Sequence, residues 1–333
     1  MKKVLLIGEP LIRISPLHHL ELSDGVDAKC FFGGSEVNIA CTLQGFGQEA
    51  KIFTALPKNS LGDRFSTFLS SHGIDTSSIL RLGDRIGLYY LEEGFGCRTS
   101  KVYYDRKFSS FSSIDERSIT TEDVLDGVEW IHFSGITLAV ATSASVWLKK
   151  ILTVAKSLHI PISFDLNWRS SLIEMRKAKT LFSEFASLAD YCFGIEPLLQ
   201  NPDDWTLFNR DGASEEELEH RMSILKKKYS LKGIFHTIRQ VDSNGTHTYQ
   251  AYGLMETFYS SKALKTQVLQ RVGSGDAFVA GALYQLLRGK GIKDVTDFAL
   301  ASGLYKCSLE GDFMVQSVHN IYSILGEARD VIR

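Results

Sequence analysis

A glycine-rich stretch, Gly273-Ser274-Gly275-Asp276, opens directly into an apolar helical pattern. Backbone N–H groups in such a turn point in one direction, and the helix dipole adds positive potential, so the stretch predicts an anion site. An aspartate there would repel a bound anion, which indicates a separate task, such as general base for a hydroxyl proton. The alternative is an ordinary acidic residue at a helix start, and the spacing alone leaves both open.

A glycine pair precedes a second helical pattern. Gly33 and Gly34 would let a hydroxylated ligand lie against the backbone, Ser35 is a candidate helix cap, and Asn38 falls one turn into the helix. The alternative is a plain turn between a strand and a helix.

Polar residues alternate after a predicted strand. Asp165, Asn167 and Arg169 share one face if the chain stays extended. They follow the carboxyl end of the strand, where open α/β sheets bind ligands. Arg169 could hold a carboxylate or a phosphate with two hydrogen bonds. The alternative is a polar loop with a local ion pair.

Apolar runs typical of buried strands alternate with helical patterns along the chain. This alternation predicts an α/β fold with a mainly parallel sheet covered by helices on both faces. A helix is also expected after Ser214, with glutamates at its start and lysines at its end, which suits the helix dipole. Strands are predicted at 4–7, 51–56, 130–133, 161–164, 191–193 and 233–238, and further helices at 36–45, 61–71, 144–158 and 178–189.

Two segments, about 11–32 and 88–113, interrupt this succession of strands and helices. In them apolar and polar residues alternate without a helical pattern, and many side chains are aromatic. They predict antiparallel strands added to the main sheet, either as a solvent-exposed hairpin or as a lid over a pocket. Six prolines and no Ser/Gly/Pro linker favour a single domain over residues 1–333. Exposed edges of the lid strands predict pairing between two copies, and therefore a homo-oligomer.

Composition excludes several classes of protein. The 333 residues include 44% hydrophobic side chains and carry a net charge of −2, which argues against disorder and against a nucleic-acid partner. No apolar run approaches the roughly 18 residues that span a bilayer, so no membrane is expected. The five scattered cysteines predict neither a disulfide framework nor a zinc site, and favour the reducing cytoplasm.

Together, in this order and at these separations, the three polar motifs resemble those of ribokinase-like (PfkB) carbohydrate kinases, over essentially the whole chain. The resemblance implies a three-layer α/β sandwich with a small β-sheet lid, and transfer of the γ-phosphate of ATP to a sugar hydroxyl with Mg²⁺. It implies that Asp276 is the catalytic base and that Gly273, Ser274 and Gly275 form an anion hole for the phosphoryl group. It places Gly33, Gly34 and Asn38 on the sugar side.

Within the family, the sequence is most similar to 2-keto-3-deoxygluconate kinases. The similarity lies in Tyr103-Tyr104-Asp105-Arg106, in Asp165–Arg169 and in the tail from Lys306 to Phe313. It implies a sugar-acid substrate phosphorylated to its 6-phosphate, with a carboxylate shared by Arg106 and Arg169. Tyr89, Tyr104 and Asn167 complete the expected substrate contacts.

Three positions near the expected nucleotide and metal sites depart from the family pattern. Gln270 replaces an aspartate, and Arg239 replaces a glycine and could pair with a phosphate. Glu196 is a candidate substitute for a missing Asn-x-x-Glu motif tied to magnesium, so the metal ligands stay unassigned. The ATP contacts implied by the resemblance are Asn167, Thr237, Arg239, Gly273, Gly275 and Lys306.

Three other functions stay open at this stage. The protein could be a kinase of the same family for fructose, ribose or 2-keto-3-deoxygalactonate. The departures at Gln270 and Arg239 also allow a catalytically impaired sensor that binds a sugar acid, although the intact stretch Gly273–Asp276 argues against it. A dinucleotide-binding dehydrogenase is disfavoured because no G-x-G-x-x-G follows the first strand.

Overall fold

The computed structural model of the protein describes residues 2–210, 212–243 and 245–326. In these ranges the strands β1 to β14 are, in chain order, Lys3–Ile7, Leu11–Pro16, Ala28–Gly33, Ala50–Leu56, Ile79–Arg81, Gly87–Glu92, Lys101–Asp105, Val128–Ser134, Ile162–Asp165, Tyr191–Phe193, Gly233–Val241, His247–Leu254, Phe258–Ser260 and Leu264–Thr266. The helices α1 to α10 are Ser35–Gly45, Ser60–Ser71, Thr121–Leu125, Gly135–Val140, Ala144–Ser157, Met175–Ala186, Glu215–Tyr229, Ser274–Leu286, Ile292–Cys307 and Val318–Leu325.

The main sheet has ten strands in the order β13-β12-β11-β10-β9-β8-β1-β4-β5, with β14 also paired to β12. Neighbours from β11 to β5 run parallel, and β12 pairs antiparallel with β11, β13 and β14. The sheet carries the carboxyl ends of β9, β10 and β11 to one edge, where open sheets of this kind bind ligands.

Helices cover both faces of this sheet. In β1, Val4 and Leu6 face one apolar core with α1, α2, α8 and α9, whereas Leu5 and Ile7 face a second core with α5, α6 and α7. A strand that is apolar on both faces is typical of a parallel sheet between two helix layers. The predicted three-layer α/β sandwich is therefore confirmed.

A second, four-stranded sheet lies beside the first, in the order β3-β2-β6-β7, and we call it the lid sheet. Three details of the prediction were wrong. The lid strands form their own sheet rather than extending the main one, and β2 runs parallel to β6. Residues beyond β7 are not a strand either, because Phe111 turns inward and is buried in the main core. The single domain over residues 1–333 stays a prediction, and residues 327–333 lie outside the described ranges.

The helix starts follow from their capping side chains. Asn59 caps α2 by accepting from Gly62 N, and Ser214 with Glu217 forms a capping box at α7. Helix α6 begins earlier than predicted because Glu174 accepts hydrogen bonds at its start. Ser35 is not a cap, since Gly34 takes that position with a φ of +119°. Among the described helices, none is long and apolar enough to cross a membrane.

Candidate active site

Asp276 is held from two sides at the start of α8. It lies in the first turn of the helix and is half-buried. Ser35 Oγ donates to its Oδ1 and Asn38 Nδ2 donates to its Oδ2, each at 2.7 Å. Desolvation by the surrounding protein raises the pKa of Asp276, and the two donors act in the opposite direction. The carboxylate is thus oriented, and more basic than an exposed aspartate.

The turn before Asp276 is very tight. Gly273 adopts a φ of +78° and caps α8. A Cβ at this position would overlap the carbonyl oxygen of Asp312. Only glycine fits both the conformation and the close approach. The backbone N of Ser274, the first residue of α8, donates to Arg271 O at 3.1 Å, so this amide is not offered to an anion as the sequence predicted.

Gly273→Ala should therefore lower the phosphoryl transfer that the sequence leads us to expect by about 100-fold or more, because the turn must shift and the amides lose their alignment. Steady-state kinetics with the sugar substrate measures this loss. Gly291→Ala is the matched control, since Gly291 caps α9 at a φ of −72° and its added Cβ would meet open space. Equal activity of the two variants would contradict the proposed anion hole.

Gly33, Asn38 and Asp312 surround a small space next to Asp276. A Cβ on Gly33 would lie 2.8 Å from Asp312 Oδ2 and 3.1 Å from Asn38 Oδ1. Gly34 approaches the backbone so closely that its Cβ would overlap Glu9 O. The structure thus brings together the predicted glycines and Asn38, and adds Asp312, which sequence reasoning noticed only as part of the similar tail.

The lid sheet is tied to this space through buried polar contacts. Arg13 is fully buried on β2 and donates from Nε to Asp312 Oδ1 at 2.7 Å and from Nη2 to Gln270 Oε1 at 3.1 Å. Tyr89 OH donates to Asp312 Oδ2 at 3.0 Å. Gln270 Oε1 also accepts from Gly311 N. Sequence reasoning missed Arg13, although strand alternation places it on the same face of β2 as Leu11 and Ser15.

Arg106 is not available for a substrate carboxylate, contrary to the sequence-based expectation. It is 7% exposed and donates from Nε to Glu9 Oε2 at 2.8 Å, with a further ion pair from Nη2. Ser109 donates to the other oxygen of Glu9. Glu9 follows β1 and is buried, so its carboxylate requires a cationic partner. Nothing in the sequence around Glu9 indicated that Arg106 is this partner. Tyr104 is partly exposed on β7, with its ring centroid 6.1 Å from that of Tyr89.

Arg106→Ala should destabilise the fold, since it leaves Glu9 charged and buried without its cation. We expect a loss of about 3–5 kcal/mol in the free energy of unfolding, measured by urea denaturation. The control is Arg117→Ala, which removes an exposed partner of Asp115 and should change stability little. A stable Arg106→Ala protein with weakened sugar-acid binding would instead support the original assignment.

A cavity of about 450 Å³ opens at the carboxyl ends of β9, β10 and β11. Asn167, Arg169, Thr237 and Gly275 line it together with Asp165. Desolvation and the charge of Asp276 raise the pKa of Asp165 to about 7, and the positive charge of Arg169 opposes this. Arg169 is exposed and donates to Trp168 O. The cavity joins the exposed amide end of α8 to a guanidinium group, which suits a polyanion.

The other two predicted nucleotide residues lie elsewhere. Arg239 is exposed further along β11, opposite Tyr249 on β12. Lys306 is fully buried on α9 and donates to Leu309 O at 3.0 Å, and desolvation lowers its pKa to about 8. Its charge acts from within the protein rather than at the cavity surface.

Glu196 lines the cavity, but its carboxylate is occupied. Arg221 Nη2 donates to Glu196 Oε1 at 2.6 Å, and Lys179 Nζ lies 3.2 Å from Oε2. Asp204 shares both cations. Glu196 is therefore part of a buried ion network, which argues against the suggestion that it holds magnesium. Within the described ranges, no group of three or more His, Cys, Asp or Glu side chains could hold a metal ion.

A mainly parallel sheet between helices, a separate lid sheet, and an aspartate behind a glycine-rich helix start define the class of ribokinase-like kinases. Residues 1–312 match the model of the pfkB family carbohydrate kinases, and the chain belongs to this family. It is a carbohydrate kinase, a phosphotransferase.

Three known proteins illustrate the similarity. A 2-dehydro-3-deoxygalactonokinase from Haloferax volcanii is 26% identical, over 96% of this chain and 95% of that protein. The crystal structure of a 2-dehydro-3-deoxygluconokinase from Thermotoga maritima superimposes with a TM-score of 0.89 at 31% identity, over 97% and 98% of the two chains. A fructokinase from Xylella fastidiosa, solved with bound ATP, shares the fold with a TM-score of 0.73 at 17% identity, over 98% of each chain.

Proposed function

We propose that the protein transfers the γ-phosphate of ATP to the 6-hydroxyl of 2-keto-3-deoxygluconate, with Asp276 as the general base. The observation that carries this proposal is the position of Asp276. Its two oxygens are held by Ser35 and Asn38 between the sugar-side space at Gly33 and the amide turn of α8.

The chemistry follows from this arrangement. Asp276 accepts the proton of the attacking hydroxyl, and the resulting oxygen nucleophile bonds to the γ-phosphorus as the bond to ADP breaks. A raised pKa suits this role because a base works best when its pKa approaches the working pH. The amides of Gly273 and Gly275 neutralise charge that develops on the transferred group.

The phosphates of ATP occupy the cavity lined by Asn167, Thr237 and Gly275. A Mg²⁺ ion bound there would neutralise charge on the phosphates. Such an ion usually takes most of its ligands from phosphate oxygens and water, with one or two carboxylates. Asp165 fits this role because its carboxylate lies in the cavity lining and is poorly compensated, whereas Glu196 is neutralised by Lys179 and Arg221.

A sugar acid is favoured over a neutral sugar for two reasons. Arg169 supplies a cation that two hydrogen bonds could tie to a carboxylate, and its charge acts on both Asp276 and Asp165. Two of the related kinases are named for 2-dehydro-3-deoxy sugar acids, where 2-dehydro is the same group as 2-keto.

A substrate panel tests the proposal. Purified protein with ATP and Mg²⁺ should turn over 2-keto-3-deoxygluconate with a kcat/KM well above that for fructose or ribose. 2-Keto-3-deoxygalactonate is the second candidate substrate, because the Haloferax volcanii relative is named for it. A preference for a neutral sugar would contradict the acid assignment, and no turnover of any member would favour the sensor hypothesis.

Pairing of two copies through the lid sheet stays part of this proposal. Strand β7 forms one edge of that sheet and is exposed along its whole length. An edge strand of this kind presents unpaired backbone groups to a partner. Sedimentation velocity of the purified protein would show the dimer.

A further inference from the structure

The hydroxyl of Ser35 connects Asp276 to Asn167. Ser35 Oγ donates to Asp276 Oδ1 at 2.7 Å and accepts from Asn167 Nδ2 at 3.3 Å. A serine hydroxyl carries one proton and can accept as well as donate. Because Asn167 donates into the Ser35 oxygen, the serine proton is directed at the carboxylate.

Both ends of this chain are fixed by their backbone. Ser35 is the first residue of α1, directly after Gly34, which has a φ of +119° and lies against Glu9 O. Asn167 adopts a φ of +34°, and its backbone N donates to Asp165 Oδ1 at 3.1 Å. Neither residue can turn away without moving a constrained segment, so the donor chain is a built feature of the site.

We propose that Ser35, supported by Asn167, is a positioning residue for the base, which holds Asp276 Oδ1 in place and stabilises its charged form. This inference rests on the proposed function, because it assumes that Asp276 is the base. Asn167 also lines the cavity in which we place the phosphates, so the chain links the nucleotide side of the site to the sugar side.

The charge balance around Asp276 makes such a donor important. Desolvation and the charge of Asp312 disfavour the carboxylate. Desolvation also raises the pKa of Glu36 to about 8, so this neighbour is mostly neutral at pH 7. The charged and titratable groups that face Asp276 are Arg169 and Lys306 as cations, Asp165, Glu36 and Asp312 as acids, and the phenol of Tyr89.

The sign of the expected pH effect follows from the chemistry of the base. Only the ionised carboxylate accepts the substrate proton, so activity is lost on the acid side as Asp276 becomes protonated. A hydrogen bond to a charged group favours the ionised form, and its removal raises the pKa by about one to two units. The acid limb of the kcat/KM profile for the sugar should therefore move upward in Ser35→Ala.

The test is the pH profile of kcat/KM in Ser35→Ala beside the wild-type enzyme. We expect the acid midpoint to rise by about one to two pH units, with a loss of about tenfold or more below it and recovery at high pH. Ser35→Thr keeps a hydroxyl and should restore the midpoint. Ser302→Ala is the matched control, because its buried hydroxyl donates only within α9, to Phe298 O.

The outcomes separate this inference from the proposed function. An inactive Asp276→Asn with an unshifted Ser35→Ala midpoint would overturn the positioning role alone. Full activity of Asp276→Asn would overturn the base assignment itself. A pH-independent loss in Ser35→Ala would mark a merely structural serine. If Ser35→Ala does not fold, Asn167→Ala replaces it, and an unshifted midpoint there would overturn the inference.

Discussion

Asp276→Asn should lower kcat by about 10³- to 10⁴-fold while leaving sugar binding nearly intact. The amide keeps the size of the side chain, and its oxygen can still accept a hydrogen bond from one of the two donors, Ser35 or Asn38. Its nitrogen cannot accept from the other donor, and the amide cannot accept a proton from the substrate hydroxyl. Initial rates in an ADP-coupled assay measure the loss of turnover. Isothermal titration calorimetry measures the affinity for the sugar acid.

The control for this variant is Asp294→Asn. Asp294 holds the same place in α9 that Asp276 holds in α8, since each lies in the first turn of its helix. Removing its charge should affect the helix end only slightly and leave kcat unchanged. Similar rates in the two variants would contradict the base assignment and would indicate that Asp276 is an ordinary acidic residue at a helix start.

Arg169→Ala is the second change with a large expected effect. It should lower kcat/KM for 2-keto-3-deoxygluconate by about 10- to 100-fold and change the value for a neutral ketose little, because only the acid has a carboxylate to lose its charged partner. The measurement is a pair of saturation curves for the two sugars at fixed ATP.

The same variant can also show whether Arg169 binds the phosphates of ATP instead, since Arg169 lines the cavity together with Gly275. A rise in KM for ATP with equal losses for acid and neutral sugars would contradict the carboxylate assignment. Arg176→Ala is the control, because Arg176 is exposed on α6 and lies over the Trp205 ring. Its kinetics should match those of the unmodified enzyme.

The overall charge of the protein makes the charged groups at the site important. A net charge of −2 provides no general attraction for two anionic substrates. Attraction must come from positively charged and N–H groups at the site. Arg106 is not one of them, because it is paired with Glu9. Arg169 and Arg210 line the cavity together with Gly275 at the start of α8, and these groups supply the local attraction.

The main sheet could be predicted from the sequence because its strands are apolar on both faces and are bounded by helices with recognisable starts. β1 and its neighbours were found in this way, as was the helix that begins after Ser214. The lid sheet was placed only approximately. Its parallel pair β2–β6 joins strands far apart in the chain, and alternation within a strand carries no information about the partner.

The candidate site was predictable where residue type and local conformation coincide, as at Gly273 and Asp276. It was not predictable where a side chain depends on a distant partner. Arg106 and Glu196 both have the chemistry of binding residues, yet Glu9 engages the first, and Lys179 and Arg221 engage the second. A local pattern does not reveal such pairings, since burial decides which charges must be paired.

Product analysis tests the central claim most directly. The purified protein is incubated with ATP, Mg²⁺ and 2-keto-3-deoxygluconate, and the product is examined by ³¹P–¹H correlation NMR. The account predicts one new phosphomonoester, coupled to the protons on carbon 6, formed in equal amount to ADP. Release of ADP with free phosphate, or an ester at another carbon, would contradict it.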